Sequence, residues 1–503
     1  MKKFVVASIA AAMLLSPIAA YADTASSQPA IAAAFKLTAD TSVQKADIQA
    51  FADIKKLFEA QTVDIAKVKA AYITSFQAKV QALIPDTDAL IIAVLDGAAA
   101  GKYSALQAKQ AVDKGLQGYF YAEITNLTKV VAKDALTQGK KDAARAALEQ
   151  AIELYAGSLQ ATVGKRDASF STSMQEQLDA IIIPKLLESV EKGDVLQYNI
   201  TRQMFDKTLI KTFHLANITY AKKVPELAKT KPEDAKVGLT EGYFFYLPIY
   251  NSMSGGHKAS ADAIKAAFES GDVSKLSEAA IKEAFLKTLT AKLSGYVDKV
   301  LTADWSVKAN HEKAMEQAME GNMFLSVMEV LLTEKLGKDA YAALTMDAQK
   351  YFEAVQAADK AAATARIMPV LKALSALNGI SFKAGDSTLL VNGKTVKIDV
   401  PSFIKNGRTL VPARALAEAL GGKIDAVKVG TQMKIVIEKD GATIDFLIGS
   451  REINKDGKKL EYTFDQPALI KNGRTFIPLR AVSQVLGQKV FFDAANKTVI
   501  VLN

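Results

Sequence analysis

The sequence predicts a multidomain protein: an all-α region of helical-bundle repeats, followed by an α+β module of two tandem antiparallel-sheet/helix units. Three observations carry this expectation. Apolar residues recur at three- and four-residue steps from about Ile31 to Leu377. Past Gly379 the text turns to Val, Ile, Thr and Gly, and apolar residues alternate with polar ones, as in MKIVIE (433–438) and ATIDFLI (442–448). Within that last part, PSFIKNGRTLVPARALAEALGG (401–422) and PALIKNGRTFIPLRAVSQVLGQ (467–488) are nearly the same text.

In chain order, the first element is a targeting segment. Lys2 and Lys3 precede an apolar run from Phe4 to Leu15, and Ala20-Tyr21-Ala22 offers a small-x-small cleavage site. This is the pattern of a secretory signal peptide over 1–22, with a mature start near Asp23. No Cys follows that site, so no lipid anchor is expected, and no later apolar run is long enough to span a membrane. The expected location is secreted or extracellular, at the cell wall or cell surface, held by non-covalent contacts. The 503 residues include no Cys and three His (His214, His257, His311), none close to another. Disulfides, thiolate metal sites and Cys nucleophiles are thereby excluded, and no local His metal motif exists.

The helical region is assigned to 23–378. Ile65, Val68, Tyr72, Phe76, Val80 and Leu83 form one apolar stripe. Pro85, Pro184, Pro225, Pro232 and Pro369 read as helix breaks, as do the turns GK (101–102), GD (193–194) and GD (271–272). Self-similarity divides the region into three related repeats, about 88–155, 179–250 and 262–324, with a helical tail beyond them. The most distinctive text is EGYFFYLPIY (241–250); its Gly242 and the preceding Gly238 sit four apart on one helix face. Glycine inside a helix costs about 1 kcal/mol against Ala, so its presence there predicts a close helix approach or a kink. The cluster Glu241, Tyr243, Phe244, Phe245 and Tyr246 has two readings. It is either helix-contact packing, the favoured one, or the lining of a ligand pocket with Glu241 and Glu320 as polar handles. His214, among apolar neighbours, reads as a core residue.

The module is assigned to 385–503, with cassettes at about 388–438 and 442–502. NGK (392–394), KDG (439–441), DGK (456–458) and the two NGRT segments are hairpin turn signals. In each cassette a short strand, LVP or FIP, leads into a helix that begins after Pro and ends at Gly. Each unit is expected to be a small antiparallel sheet with one helix on its face. The cassettes superpose with an offset of 66 residues, from Pro401/Pro467 through Arg408/Arg474 and Arg414/Arg480 to Gly421/Gly487.

These paired motifs resemble the copper amine oxidase N-terminal-like domain, or stalk domain, common in exported proteins of Gram-positive bacteria. The resemblance covers about 388–503 and leaves the helical region unrecognised. It implies an accessory domain, not oxidase chemistry. The chain has no Asn-Tyr-Asp/Glu setting for a quinone-forming Tyr, and no His after residue 379, so amine oxidation is rejected. In the family pattern, Arg408, Arg414, Arg474 and Arg480 brace turn and helix rather than bind an anion.

No nucleotide-binding loop, zinc-protease or hydrolase motif occurs, and no catalytic, cofactor or metal residue is proposed. Charge points elsewhere. From Ile380 to Asn503 there are 19 Lys/Arg against 12 Asp/Glu, whereas 23–379 is balanced at 42 each. The expected function is a non-enzymatic structural or interaction protein of the cell surface, its C-terminal module acting as attachment or stalk. Expected partners are anionic wall polymers, met by Lys405, Lys471, Lys458 and Lys459, and a second copy of the chain, with no nucleic acid. The competing expectation is an extracytoplasmic helical protein that binds a metal, haem or a small apolar ligand. The two are told apart by ligand-induced stabilisation.

Overall fold

The computed structural model describes residues 37–502; the expected signal peptide at 1–22 lies outside them. Among the described residues the chain forms two compact units. One comprises 37–285 and 315–346, the other 286–314 and 347–502. The division therefore does not follow the change in composition near 378, because two stretches of the helical text belong with the strands.

The first unit is built around the helix Val195–Ala228, 34 residues and about 51 Å long at 1.5 Å per residue. From Ile200 to Ala221 it is buried on nearly all sides, which explains why it shows no single apolar face. It packs along Pro232–Ser254, which in turn packs on Ala105–Asn126 and Lys258–Glu269. The crossings are close. A Cβ on Gly242 would lie 2.4 Å from Phe268, and one on Gly238 would lie 2.9 Å from Val224, so both glycines serve helix approach.

The stripe Val68, Tyr72, Phe76, Val80 is buried, and its uniform four-residue step has a structural counterpart. An α-helix drifts about 40° per such step. The wider π turn Ile73–Gln77, set between Ile65–Tyr72 and Ala78–Leu83, takes up the drift. Prolines behave less simply than the text suggests. Pro85 and Pro232 open helices. Pro184 instead follows the π turn Gln177–Ile182 within a continuous helical run, and Pro225 and Pro369 lie inside helices. The glycines of the three expected repeat turns, Gly101, Gly193 and Gly271, all have positive φ.

In the second unit, helix Lys360–Asn378 lies against the strands β1 (Gly379–Lys383), β2 (Thr388–Val391) and β14 (Thr498–Leu502). At the junction, a Cβ on Gly379 would stand 2.6 Å from the Val501 carbonyl oxygen. The remaining strands are β3 (Lys394–Lys397), β4 (Phe403–Lys405), β5 (Arg408–Pro412), β6 (Lys423–Val429), β7 (Gln432–Lys439) and β8 (Ala442–Leu447). They continue with β9 (Asn454–Lys455), β10 (Lys458–Lys459), β11 (Leu469–Lys471), β12 (Arg474–Pro478) and β13 (Lys489–Asp493). The cassette helices are Ala413–Ala419 and Leu479–Val485.

Three antiparallel sheets result: β13-β14-β1-β2-β3, β10-β9-β8-β7-β6 and β11-β12-β5-β4. The hairpin signals hold. Asn392-Gly393, Asn406-Gly407, Asp440-Gly441, Asp456-Gly457 and Asn472-Gly473 have positive φ at both residues, as a type I′ turn requires.

The two units do not close on themselves. β8, β9 and β10 open the second copy but complete the sheet begun by β6 and β7 of the first. β1, β2 and β3 open the first copy and pair, through β14, with the end of the second. Equivalent brackets repeat across the exchange. Gly379 and Asn392 exchange N–H to side-chain and N–H to carbonyl bonds at 2.9 and 2.8 Å, and Thr443 and Asp456 do the same at 2.8 Å each. One apolar core, including Leu416, Ile437, Ile444, Phe464, Val482 and Val501, serves both copies.

Candidate functional site

The cassettes meet across a local two-fold. β5 pairs with β12 so that Val411 faces Ile477, its own equivalent. The order β11-β12-β5-β4 is therefore symmetric, and the two NGRT turns project from opposite ends of this sheet. Counting three residues from Arg408 to Val411 and three from Ile477 to Arg474 puts the tips about 20 Å apart at 3.3 Å per residue. Each tip carries an exposed Ile-Lys pair, with Ile404 60% and Ile470 57% exposed beside Lys405 and Lys471. The Lys471 ammonium lies 4.2 Å from the Phe403 ring centre. Lys458 and Lys459 are exposed on β10, and Lys459 pairs with Glu452 at 2.5 Å.

The turn arginines cross between copies. Arg474 pairs with Asp399 at 2.5 Å, and Arg408 pairs with Asp465, the residue equivalent to Asp399. The hydrogen bond from Arg474 holds the Asp399 carboxyl below the usual carboxylate range. Asn406 donates to the Gln466 side chain at 3.0 Å. Arg408 and Arg474 thus brace one copy against the other.

Two grooves lie on either side of this brace. The first, about 780 Å³, is bordered by Asp399, Arg414, Glu418 and Arg474. The second, about 300 Å³, is bordered by the equivalents Asp465, Arg480 and Arg408, together with Tyr462 and Phe492. Asp399, Asp465, Tyr462 and Phe492 are the residues that motif reading missed. The offset that relates the cassettes finds both aspartates when it is extended six residues upstream of Lys405 and Lys471.

The helical candidates have a different setting. Phe244, Phe245 and Tyr246 are buried, and Tyr246 donates to the Ala261 carbonyl at 2.9 Å. Phe245 stacks on Tyr220, and Tyr243 donates to Glu269 at 2.9 Å. Glu241 pairs with Lys114 at 3.4 Å and accepts from the Tyr220 hydroxyl, whose proton is held more tightly than usual, first by burial and then by the Glu241 charge. These side chains are occupied with one another.

Beside them runs a polar ladder, of which the sequence reading picked out only Glu320. On the long helix, Gln203 donates to Glu316 at 3.0 Å. Lys207 lies 2.6 Å from Asp206 and 2.8 Å from Glu320, and Lys211 lies 2.5 Å from Glu329. Tyr121 donates to Asp206 at 2.9 Å. Burial works to raise the Asp206 pKa, but the charge and hydrogen bond of Lys207 outweigh it and leave the carboxyl below its ordinary value. For Lys207, burial works downward and the two carboxylates outweigh it. The four-residue steps Gln203-Lys207-Lys211 and Glu316-Glu320 are the signal in the text. His214 is buried, packed against Phe285 at 4.4 Å between ring centres, with neither ring nitrogen hydrogen-bonded.

Against known proteins, residues 379–501 match the family model of the copper amine oxidase N-terminal domain. The match spans the strand-exchanged module from β1 to within β14 and leaves the helical region outside. No curated protein and no solved structure matches the chain. Among the described residues, no helix is long and apolar enough to cross a membrane.

Proposed function

We propose that this chain is an exported, non-enzymatic cell-surface protein whose C-terminal module attaches it to anionic wall polymer. The observation that carries the reading is the distribution of charge. The basic excess lies after residue 379, and Lys405, Lys458 and Lys471 stand exposed there, two of them on hairpin tips about 20 Å apart. Two linked weak contacts gain from effective concentration, so a doubled cassette suits a repeating polymer better than one contact would. The family match supports an accessory role, since it concerns the N-terminal domain of the oxidases.

The helical region then acts as the presented part. The pairing of Glu241 with Lys114 and the packing of Tyr243 through Tyr246 support this over a ligand pocket at that place. The test is co-sedimentation of the full mature chain with purified walls across a salt series. Binding should fall steeply between 0.1 M and 1 M salt, as the Debye length shrinks from about 10 to about 3 Å. The variant Lys405→Glu/Lys458→Glu/Lys471→Glu should bind weakly at every salt concentration. Sedimentation that ignores both salt and charge reversal would discard the reading.

A further inference from the structure

The two grooves of the module serve as each other's control. They share the cross-copy Arg–Asp pair and a second Arg at the start of the cassette helix: Arg474, Asp399 and Arg414 in the first, Arg408, Asp465 and Arg480 in the second. They differ at several wall positions, among them three that carry aromatic rings in the second groove alone. Where the first groove has Val396, Asp425 and Ala426, the second has Tyr462, Phe491 and Phe492. Phe491 is buried and belongs to the core, but Tyr462 is 44% exposed and Phe492 43%.

Charge differs as well. The first groove balances Lys397, Arg414 and Arg474 against Asp399, Glu418 and Asp425, whereas the second sets Arg408 and Arg480 against Asp465 alone. The second groove is thus a small concavity with two exposed aromatic rings and one excess guanidinium.

We infer that this second groove binds one acidic sugar unit of a wall glycan. The inference rests on the attachment reading and makes it specific. A pyranose ring has apolar C–H faces and polar edges, which suits aromatic side chains backed by a few polar groups. Arg480 takes the sugar's carboxylate, for which the planar guanidinium is the fitting partner, while Arg408 stays engaged with Asp465. A volume of about 300 Å³ admits one ring rather than an extended peptide. The first groove, charge-balanced and without an aromatic wall, does not bind that unit. The duplication has therefore left one groove for recognition and one as scaffold.

The experiment is calorimetric titration of the full mature chain with a galacturonic acid trisaccharide, a neutral galactose trisaccharide and triglutamate. The uronate sugar should bind at least about tenfold more tightly than either control. The double change Tyr462→Val/Phe492→Ala removes both exposed rings and leaves an aliphatic wall like that of the first groove. It should weaken uronate binding about tenfold or more without altering thermal stability. Arg480→Gln should abolish the preference for uronate over galactose. Unchanged affinity after the aromatic swap, or equal binding of triglutamate, would overturn the inference. Its failure is separable from failure of the attachment reading. If the lysine reversal abolishes wall sedimentation while the aromatic swap leaves trisaccharide binding intact, only the groove assignment falls. If trisaccharide binding follows the groove while sedimentation ignores the lysines, only the electrostatic anchor falls.

Discussion

His214 shows how a single side chain sets a pH limit on the helical unit. Burial, with the charge of Lys211 adding to it, pushes its pKa from the ordinary 6.5 down to about 3. The unfolded chain therefore binds a proton between these values that the folded chain does not. Stability from this residue is complete above pH 6.5 and is lost as pH falls toward 3, by roughly 4–5 kcal/mol over the window. His214→Leu should flatten the acid limb of a urea-derived stability profile between pH 6.5 and 3, and a variant with the wild-type slope would contradict the assignment.

Lys207 makes the complementary case. Lys207→Met strands the Asp206 and Glu320 carboxylates in the interior and should cost about 3–5 kcal/mol in urea unfolding. Adding Asp206→Asn and Glu320→Gln should recover most of that loss, since the damage comes from unpaired charge. His214 was legible as a core residue from its apolar neighbours. The Lys207 cluster was not: Glu320 stood out only as a polar handle beside the aromatic run, and Lys207, 113 positions away, carried no sign of being its partner.

At the scale of elements, turn chemistry was the most legible feature. Asn-Gly and Asp-Gly pairs mark hairpins because few other residues tolerate positive φ at both central positions. Strand partnership was hidden for a reason of symmetry. Two near-identical cassettes offer each strand two equivalent partners, and alternation of apolar residues cannot choose between them. The exchange has a direct test, made easy by a chain that lacks Cys. Lys383 of β1 and Thr498 of β14 face each other in the register. Opposed residues in an antiparallel pair have Cα atoms about 4.5–5.5 Å apart, within disulfide reach. The variant Lys383→Cys/Thr498→Cys should therefore form a disulfide in high yield and gain about 2–4 kcal/mol of stability on oxidation. If β1 closed instead on its own copy, that bond would not form. Helix ends were less legible, since Pro184, Pro225 and Pro369 lie within helical runs rather than at their ends.

For the molecule as a whole, the doubled text at the C-terminus is one structure made by two copies, not a pair of beads. A single core and two exchanged sheets hold the NGRT tips at a fixed separation, and a rigid spacing is the condition under which two weak contacts act together. Composition exposed the charge asymmetry and the change of period near residue 378. It did not show that helix Lys360–Asn378 packs on the strands, because amphipathic text does not say which apolar surface it will cover.

The central claim is that both tips engage the wall together, and sedimentation equilibrium of the full chain with walls measures it. Four proteins suffice: the wild type, Lys394→Glu/Lys405→Glu in the first copy, where exposed Lys394 of β3 holds the place of Lys458 on β10, Lys458→Glu/Lys471→Glu in the second, and all four changes combined. Bivalent attachment predicts that either pair alone lowers affinity to the same weak level, by about a hundredfold, and that the combination removes what is left. Losses of a few-fold for each pair that simply multiply in the combination would contradict it, and would mean that the module offers diffuse charge rather than two sites.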